Sequence, residues 1–301
     1  MEQRKFGKTD MHVSVLGFGG TEIGMNNKTH SGEDTSKLLN NGLDLGLNVI
    51  DTASDNSQIE ATIGESLSHR RRHFYLFGKY GEGRAVDLPY PDWDPRNIRM
   101  GVERSLRRLR TAYLDLAILD NCTREVLAQG ELIEAMKRLK EEGLTRYIGY
   151  SGDSTDALYA IETGEFDALE TSINLADQEA VSLTLAPAEE RGMGIIVKRP
   201  VANLVWTRSS EATRAPETYE RRLEQLAYPF LDDPPQRLTE IALRFSLSLP
   251  QIDTALLRIG STQQLLDHVG YAARGPLDDE LMGLIRRRWR EIAEPAWGGL
   301  S

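Results

Sequence analysis

Short apolar runs recur along this chain, each followed by an amphipathic stretch, and this alternation limits the fold more than any other feature. The runs are Ser14–Gly17, Asn48–Asp51, Phe74–Lys79, Leu114–Asp120, Arg146–Ser151, Ala168–Ile173, Gly194–Lys198 and Thr254–Ile259. Several are continuously apolar, as strands buried on both faces should be. Between them, apolar residues return at helical spacing. Ile98, Val102, Leu106 and Leu109 share one face, and Leu132, Met136 and Leu139 share another, with Gly143 placed to cap the second helix. Eight such units predict an α/β fold, a (β/α)8 TIM barrel, with residues 1–301 as one domain. Three segments lie outside the repeat. Arg4–Phe6 and Met11–Val13 read as an N-terminal hairpin plugging the barrel bottom. Residues 203–234, with Pro216, Pro229 and Pro234, read as a long substrate lid after the seventh strand. Asp278–Ile292 reads as an extra C-terminal helix.

Composition narrows the function classes. The formal net charge of −10 disfavours nucleic acid and anionic membrane as partners, and the local run Arg286–Arg287–Arg288 reads as a solvated helix face. Cys122 is the sole cysteine, which excludes an intramolecular disulfide and a cysteine cage for zinc. The polar stretch Met1–Thr9 has no apolar signal region, and no apolar run approaches membrane-spanning length. The expectation is a cytoplasmic protein acting on a small molecule, without a metal.

Barrel chemistry belongs at the C-terminal ends of the strands. Those ends carry Asp51, Lys79, Asp120, Ser151, Ile173 and Lys198. With them come five ordered blocks: Lys5–Thr9 with Val13–Gly20, Asn48–Ala53, Tyr113–Leu116, Ile148–Gly152 and Gly194–Pro200. Over nearly its whole length the chain resembles the aldo-keto reductases, and the Lys198–Arg199–Pro200 motif resembles one bacterial branch of them. The resemblance implies hydride transfer from a nicotinamide dinucleotide, NADP(H) ahead of NAD(H). A tyrosine serves as proton donor, tuned by a lysine and an aspartate, and a histidine orients the substrate. It assigns cofactor contacts to Ser151, Gly152, Glu170, Lys198, Arg199, Pro200, Ala202, Asn203, Gly260, Ser261, Thr262, Gln264 and His268.

The catalytic positions depart from that pattern. Asp51 and Lys79 match the aspartate and lysine, but the tyrosine falls on Asn56 and the histidine on Asp120. None of His12, His30, His69, His73 and His268 lies at a strand end. An asparagine amide donates no proton at neutral pH, so ordinary carbonyl reduction should lose a general-acid contribution of about 10²–10⁴-fold. Two carboxylates beside one lysine should push one pKa upward, which makes Asp120 a candidate acid, with Asp55 a second. Glu170 replaces a glutamine that holds the nicotinamide carboxamide, Lys198 a stacking tyrosine and His268 an asparagine. No Lys or Arg lies between Gly260 and His268 to hold a 2′-phosphate, which leaves Arg258 as a candidate. Trp93 and Trp206 are placed at the substrate mouth or in the core, and Cys122 as a buried thiol ahead of a reactive one. Two readings remain. One is a nicotinamide-dependent oxidoreductase with an atypical site, acting on C=C, C=N or C=O of a substrate that the acidic pair suggests is amine-bearing. The other is a non-redox barrel, either a lyase or isomerase moving protons or a ligand-binding pseudoenzyme.

Overall fold

The computed structural model describes residues 1–19, 32–81, 88–207 and 219–299. An antiparallel hairpin, β1 (Gln3–Lys5) and β2 (His12–Ser14), precedes eight parallel strands. These are β3 (Leu16–Gly19), β4 (Val49–Ala53), β5 (Tyr75–Gly81), β6 (Leu114–Asp120), β7 (Thr145–Ser151), β8 (Ala168–Ser172), β9 (Gly194–Lys198) and β10 (Thr254–Leu257). They follow one another in order round a closed barrel, with β10 pairing both β9 and β3. The expected barrel is therefore present, with Leu114–Asp120 and Gly194–Lys198 as expected and the ends of the other six strands shifted by one or two residues. Ser14 ends the hairpin and the first barrel strand begins at Leu16, because Ser14 turns the chain there, donating from its hydroxyl to the Leu16 carbonyl at 2.6 Å.

The hairpin closes the N-terminal mouth. Phe6, Met11 and Val13 join Val49, Phe77, Leu116, Ile118, Ala168, Ile196 and Leu256 in one apolar cluster inside the barrel. Gly7 makes the close approach possible. Its φ is +49°, and a Cβ there would lie 2.4 Å from the Gly194 nitrogen and 2.5 Å from the Gly192 oxygen. A larger cluster fills the space between barrel and helices.

Local signals set the helices. Asp94 caps the helix Pro95–Arg108 by accepting from Arg96 N at 2.8 Å, with Pro95 preset for its first turn. Gly143, at φ +74°, ends the turn after Glu131–Glu141 as its position in the sequence requires. The C-terminal helix spans Asp279–Ile292 and starts at an Asp278 cap. The segment expected to be a lid carries a 3-10 stretch, Ala202–Thr207, and a helix, Tyr219–Leu226, while its residues 208–218 lie outside the described residues. Its later part is tied to the segment after β8 and to the C-terminal tail. The Tyr219 hydroxyl donates to Asp177 at 3.3 Å, the Tyr228 hydroxyl to the Leu175 carbonyl at 2.9 Å, and Arg222 to the Gly298 carbonyl at 2.9 Å. No helix among the described residues is long and apolar enough to cross a membrane.

Candidate active site

Side chains along a strand alternate between its two faces, so an inward residue is followed by another two positions on. Six inward apolar residues are succeeded in this way, toward the C-terminal mouth, by six ionisable ones. Val49 gives way to Asp51, Phe77 to Lys79, Ile118 to Asp120, Ala168 to Glu170, Ile196 to Lys198 and Leu256 to Arg258. A charged layer therefore sits directly on the apolar one. Its two signs are not mixed evenly. Asp51, Lys79, Asp120 and Glu170 occupy the arc from β4 to β8, while Lys198 ends β9 and Arg258 directly follows β10.

Lys79 is the centre of the acidic arc. Its Nζ lies 2.6 Å from Asp51 Oδ2 and 2.8 Å from Glu170 Oε1. All three residues are buried, and Asp51 Oδ1 and Glu170 Oε2 have no hydrogen-bond partner among the described residues. Burial drives the Asp51 carboxyl up to about 7 against the pull of Lys79, and the charges of Glu170 and Asp120 add to the rise. Burial alone would lower the Lys79 pKa, but Asp51, Glu170 and Asp120, in that order, push it well above its ordinary value.

These residues form the wall of a cavity of about 180 Å³. Gly19, Asp51, Lys79, Glu170, Leu256 and Arg258 come from the barrel, and Lys198, Arg199, Pro200, Val201, Asn203 and Leu204 from β9 and the loop after it. That loop is held in an uncommon backbone conformation. Arg199, Ala202, Asn203 and Leu204 all have positive φ, between 46° and 56°. Such strain in non-glycine residues gathers at ligand sites. Lys198 is anchored to Asp153 at 3.2 Å. Asp153 also accepts from Ser172 N at 2.7 Å and Thr171 Oγ1 at 2.8 Å. Despite its burial, Lys198 and these bonds hold the Asp153 carboxyl below its ordinary value.

A second cavity, also about 180 Å³, lies where Gly260, Ser261 and Thr262 begin the helix Thr262–Ala273. Ser261 caps that helix, and Gln264 reaches back to accept from Gly260 N at 2.9 Å. The opposite wall comes from the helix Gly32–Asp44 and includes Asp34 and Lys37. Lys37 was not visible to sequence reasoning as part of this site, because its helix precedes the cavity's other wall by more than 200 residues.

The remaining candidates lie elsewhere. Asn56 is half-buried and caps the helix Ser57–Leu67, accepting from Ile59 N at 3.2 Å. The turn before it is pinned by Arg104 and Arg108, which donate to the Ser54 carbonyl at 3.0 and 3.2 Å. Asp120 is buried and acts by charge on Asp51 and Lys79, but it is not among the residues lining the cavity. Ser151 is buried, Gly152 packs against the Tyr150 ring, and Ala202 is buried beneath the strained loop. His268 is buried against Tyr271, and burial lowers its pKa to about 4, so it is neutral. Asp55 is exposed. Trp93 and Trp206 pack against the large cluster, the latter donating to Thr239 Oγ1 at 3.1 Å. Cys122 is buried, and burial pushes its thiol up to about 12. Tyr80 and Tyr150, next to Lys79 and Ser151 in sequence, point the other way into the helix-packing core, and burial raises both. Among the described residues, no tyrosine or histidine lines the first cavity.

The sequence profile of the Aldo/keto reductase family matches residues 15–290. The chain belongs to this family. It is 27% identical to an uncharacterized oxidoreductase, YqkF, of Bacillus subtilis, over 97% of this chain and 98% of that protein. It is 26% identical to the L-galactose dehydrogenase of Arabidopsis thaliana, over 89% and 87% of the two chains. The holo form of the aldo-keto reductase AKR11C1 from Bacillus halodurans superposes with a TM-score of 0.82 at 26% identity, covering 98% of this chain and 99% of that one. Members of this oxidoreductase family use nicotinamide cofactors and act on small molecules.

Proposed function

We propose that this chain is a nicotinamide-dependent oxidoreductase in which buried carboxyl groups take over the proton chemistry of the family's tyrosine. The observation that carries this reading is a single cavity joining the Asp51–Lys79–Glu170 cluster to the strained loop Arg199–Leu204. The loop's turned backbone and its cationic side chains suit a pyrophosphate. The capped helix at Ser261 suits the adenosine phosphate, and Lys37 beside it, with Arg258 in the first cavity, favours NADP(H) over NAD(H). When bound, the reduced nicotinamide supplies a hydride.

The chain's own residues do the rest. Lys79 holds the cluster together. For a neutral acceptor, whether C=O or C=C, the proton comes from the cluster, and Asp51 is better placed than Asp120 because it lines the cavity. A carboxyl held near pH 7 suits general-acid work at neutral pH. Asp120 tunes the cluster through its charge. The buried Cys122 suits a reducing compartment, so we place the protein in the cytoplasm.

Titration with NADPH and NADH, by fluorescence or calorimetry, tests this directly. Both should bind, NADPH the tighter. No binding of either at millimolar concentration would favour the non-redox reading, a proton-transferring or ligand-binding barrel. That reading draws its support from the absence of tyrosine and histidine among the residues lining the cavity. The cluster should restore part of the general-acid contribution of about 10²–10⁴-fold, so simple aldehydes and ketones should turn over below the usual range of about 1–10³ s⁻¹ but faster than in Asp51→Asn.

A further inference from the structure

Three observations bear on which acceptor the cavity is built for. The first is its charge. Lys79 is shared by two carboxylates within 2.8 Å, with Asp120 adding a third negative charge at longer range, so this arc carries more negative than positive charge. The cavity's other cations, Lys198, Arg199 and Arg258, lie at β9, in the loop after it and just past β10, on the side given above to the dinucleotide phosphates, and Lys198 is already paired with Asp153. The second is the state of the carboxylates. Asp51 Oδ1 and Glu170 Oε2 are buried without a hydrogen-bond partner, an arrangement that costs free energy unless a proton or a cation offsets it. The third is the proton source, since among the described residues no phenol or imidazole lines the wall and an oxygen gaining charge there must draw its proton from the carboxyl cluster itself.

A protonated or alkylated C=N group meets all three conditions. We infer that the preferred substrate class of this cavity is a cationic imine, or the amine formed from it, held by the negative arc of Asp51 and Glu170 beside Lys79. This rests on the nicotinamide-dependent reading above. The iminium carbon accepts a hydride with its electron pair. The C=N π pair becomes the lone pair of the product amine, the cationic charge passes to the oxidised dinucleotide, and no proton moves in the step. A neutral ketone needs both a hydride and a proton, whereas an iminium carries its activating charge into the site. In the reverse direction, a neutral amine gives up the hydride and the resulting cation forms against the carboxylates. Glu170 is the discriminating residue. A glutamine there would keep the shape and remove the negative charge.

The test uses the intact protein with NADPH and two probes of similar shape. N-methyl-3,4-dihydroisoquinolinium is permanently cationic and α-tetralone is neutral. Reduction is followed by NADPH consumption. Binding is followed separately by calorimetry with N,N-dimethyl-tetrahydroisoquinolinium, which cannot react. The cation should be favoured over the ketone in kcat/KM by about 100-fold, and the unreactive cation should bind. Glu170→Gln should narrow that preference about 10-fold and weaken binding of the unreactive cation, while NADPH affinity is kept or improved. Glu170→Asp, which keeps the charge, should retain the preference and guards against a variant that misfolds. Equal use of both probes, or an unchanged preference in Glu170→Gln, would overturn the proposal. So would a protein that binds NADPH but neither binds nor reduces the cations, and that result would leave the nicotinamide reading standing. If neither NADPH nor NADH binds, both fall together.

Discussion

Asp51 and Asp115 are both almost fully buried carboxylates on neighbouring parts of the same barrel, yet their surroundings differ in kind. Asp115, near the start of β6, uses both oxygens. Oδ2 accepts from Arg71 Nη2 and Leu76 N, each at 2.8 Å, and Oδ1 accepts from Arg146 Nη1 at 2.8 Å. Asp51 faces the other mouth, shares its one cation with Glu170 and leaves Oδ1 unpaired. Two guanidiniums and an amide around one carboxylate occupy both its oxygens and give it nothing further to do. One lysine between two carboxylates leaves a deficit of positive charge that a ligand can fill. Burial is common to both, so it is the completeness of the pairing that separates scaffold from site.

Substitution at the two clusters should break this symmetry most visibly. Asp115→Leu strands Arg71 and Arg146 and should cost about 3–5 kcal/mol, measured by denaturant unfolding. Lys79→Met should cost a similar amount at high pH, because two carboxylates lose their shared partner. That loss should shrink as the pH is lowered and the carboxyls take up protons. A pH-independent loss in Lys79→Met would show that the two clusters are alike after all.

A third buried group responds to pH in the opposite sense to Asp51. His268 has its pKa lowered to about 4, so between pH 6.5 and 4 the unfolded chain binds a proton that the folded chain refuses. Stability should fall as pH drops through that window, by up to roughly 3 kcal/mol, and His268→Asn should flatten the fall. Asp51 is raised, so between about pH 4 and 7 the folded chain holds a proton that the unfolded chain has released. Its contribution falls as pH rises through that window, and Asp51→Asn should remove the slope while causing less loss than Lys79→Met. A carbon-detected NMR titration of the Asp51 carboxyl should give a midpoint near 7, and an ordinary carboxylate midpoint would dismiss its role as acid. The smallest expected effect belongs to Asn56. Asn56→Ala should cost about 1 kcal/mol through the lost helix cap. A loss of catalysis at constant stability would instead give Asn56 a chemical part.

The strands were legible because their apolar runs are local signals, and the hairpin because Gly7–Lys8–Thr9–Asp10 interrupts two short runs. The start of the first barrel strand was misjudged by two residues, since hairpin and strand are separated only by a turn at Ser14 and Val15. Asp51 and Lys79 could be found from their places at strand ends. The pairing of Lys79 with Glu170 could not, because 91 residues separate them and the sixth run seemed to end at Ile173, off the inward face. The period-two step from Ala168, inward and apolar, to Glu170 is the signal that would have found it. Asp120, expected beside Asp51 as the acid, lies on the right layer but outside the cavity wall, and Asn56 was visible only as a missing tyrosine.

The turned loop from Arg199 to Leu204 bears on how long a ligand stays. Four non-glycine residues there sit in left-handed conformations imposed by the fold. The ordering of that segment is completed as the chain folds, so capture need not freeze it again. Loosening it with glycine at Ala202 should leave encounter with a dinucleotide nearly unchanged and hasten its departure, because association rates vary little among close variants while dissociation rates carry the difference.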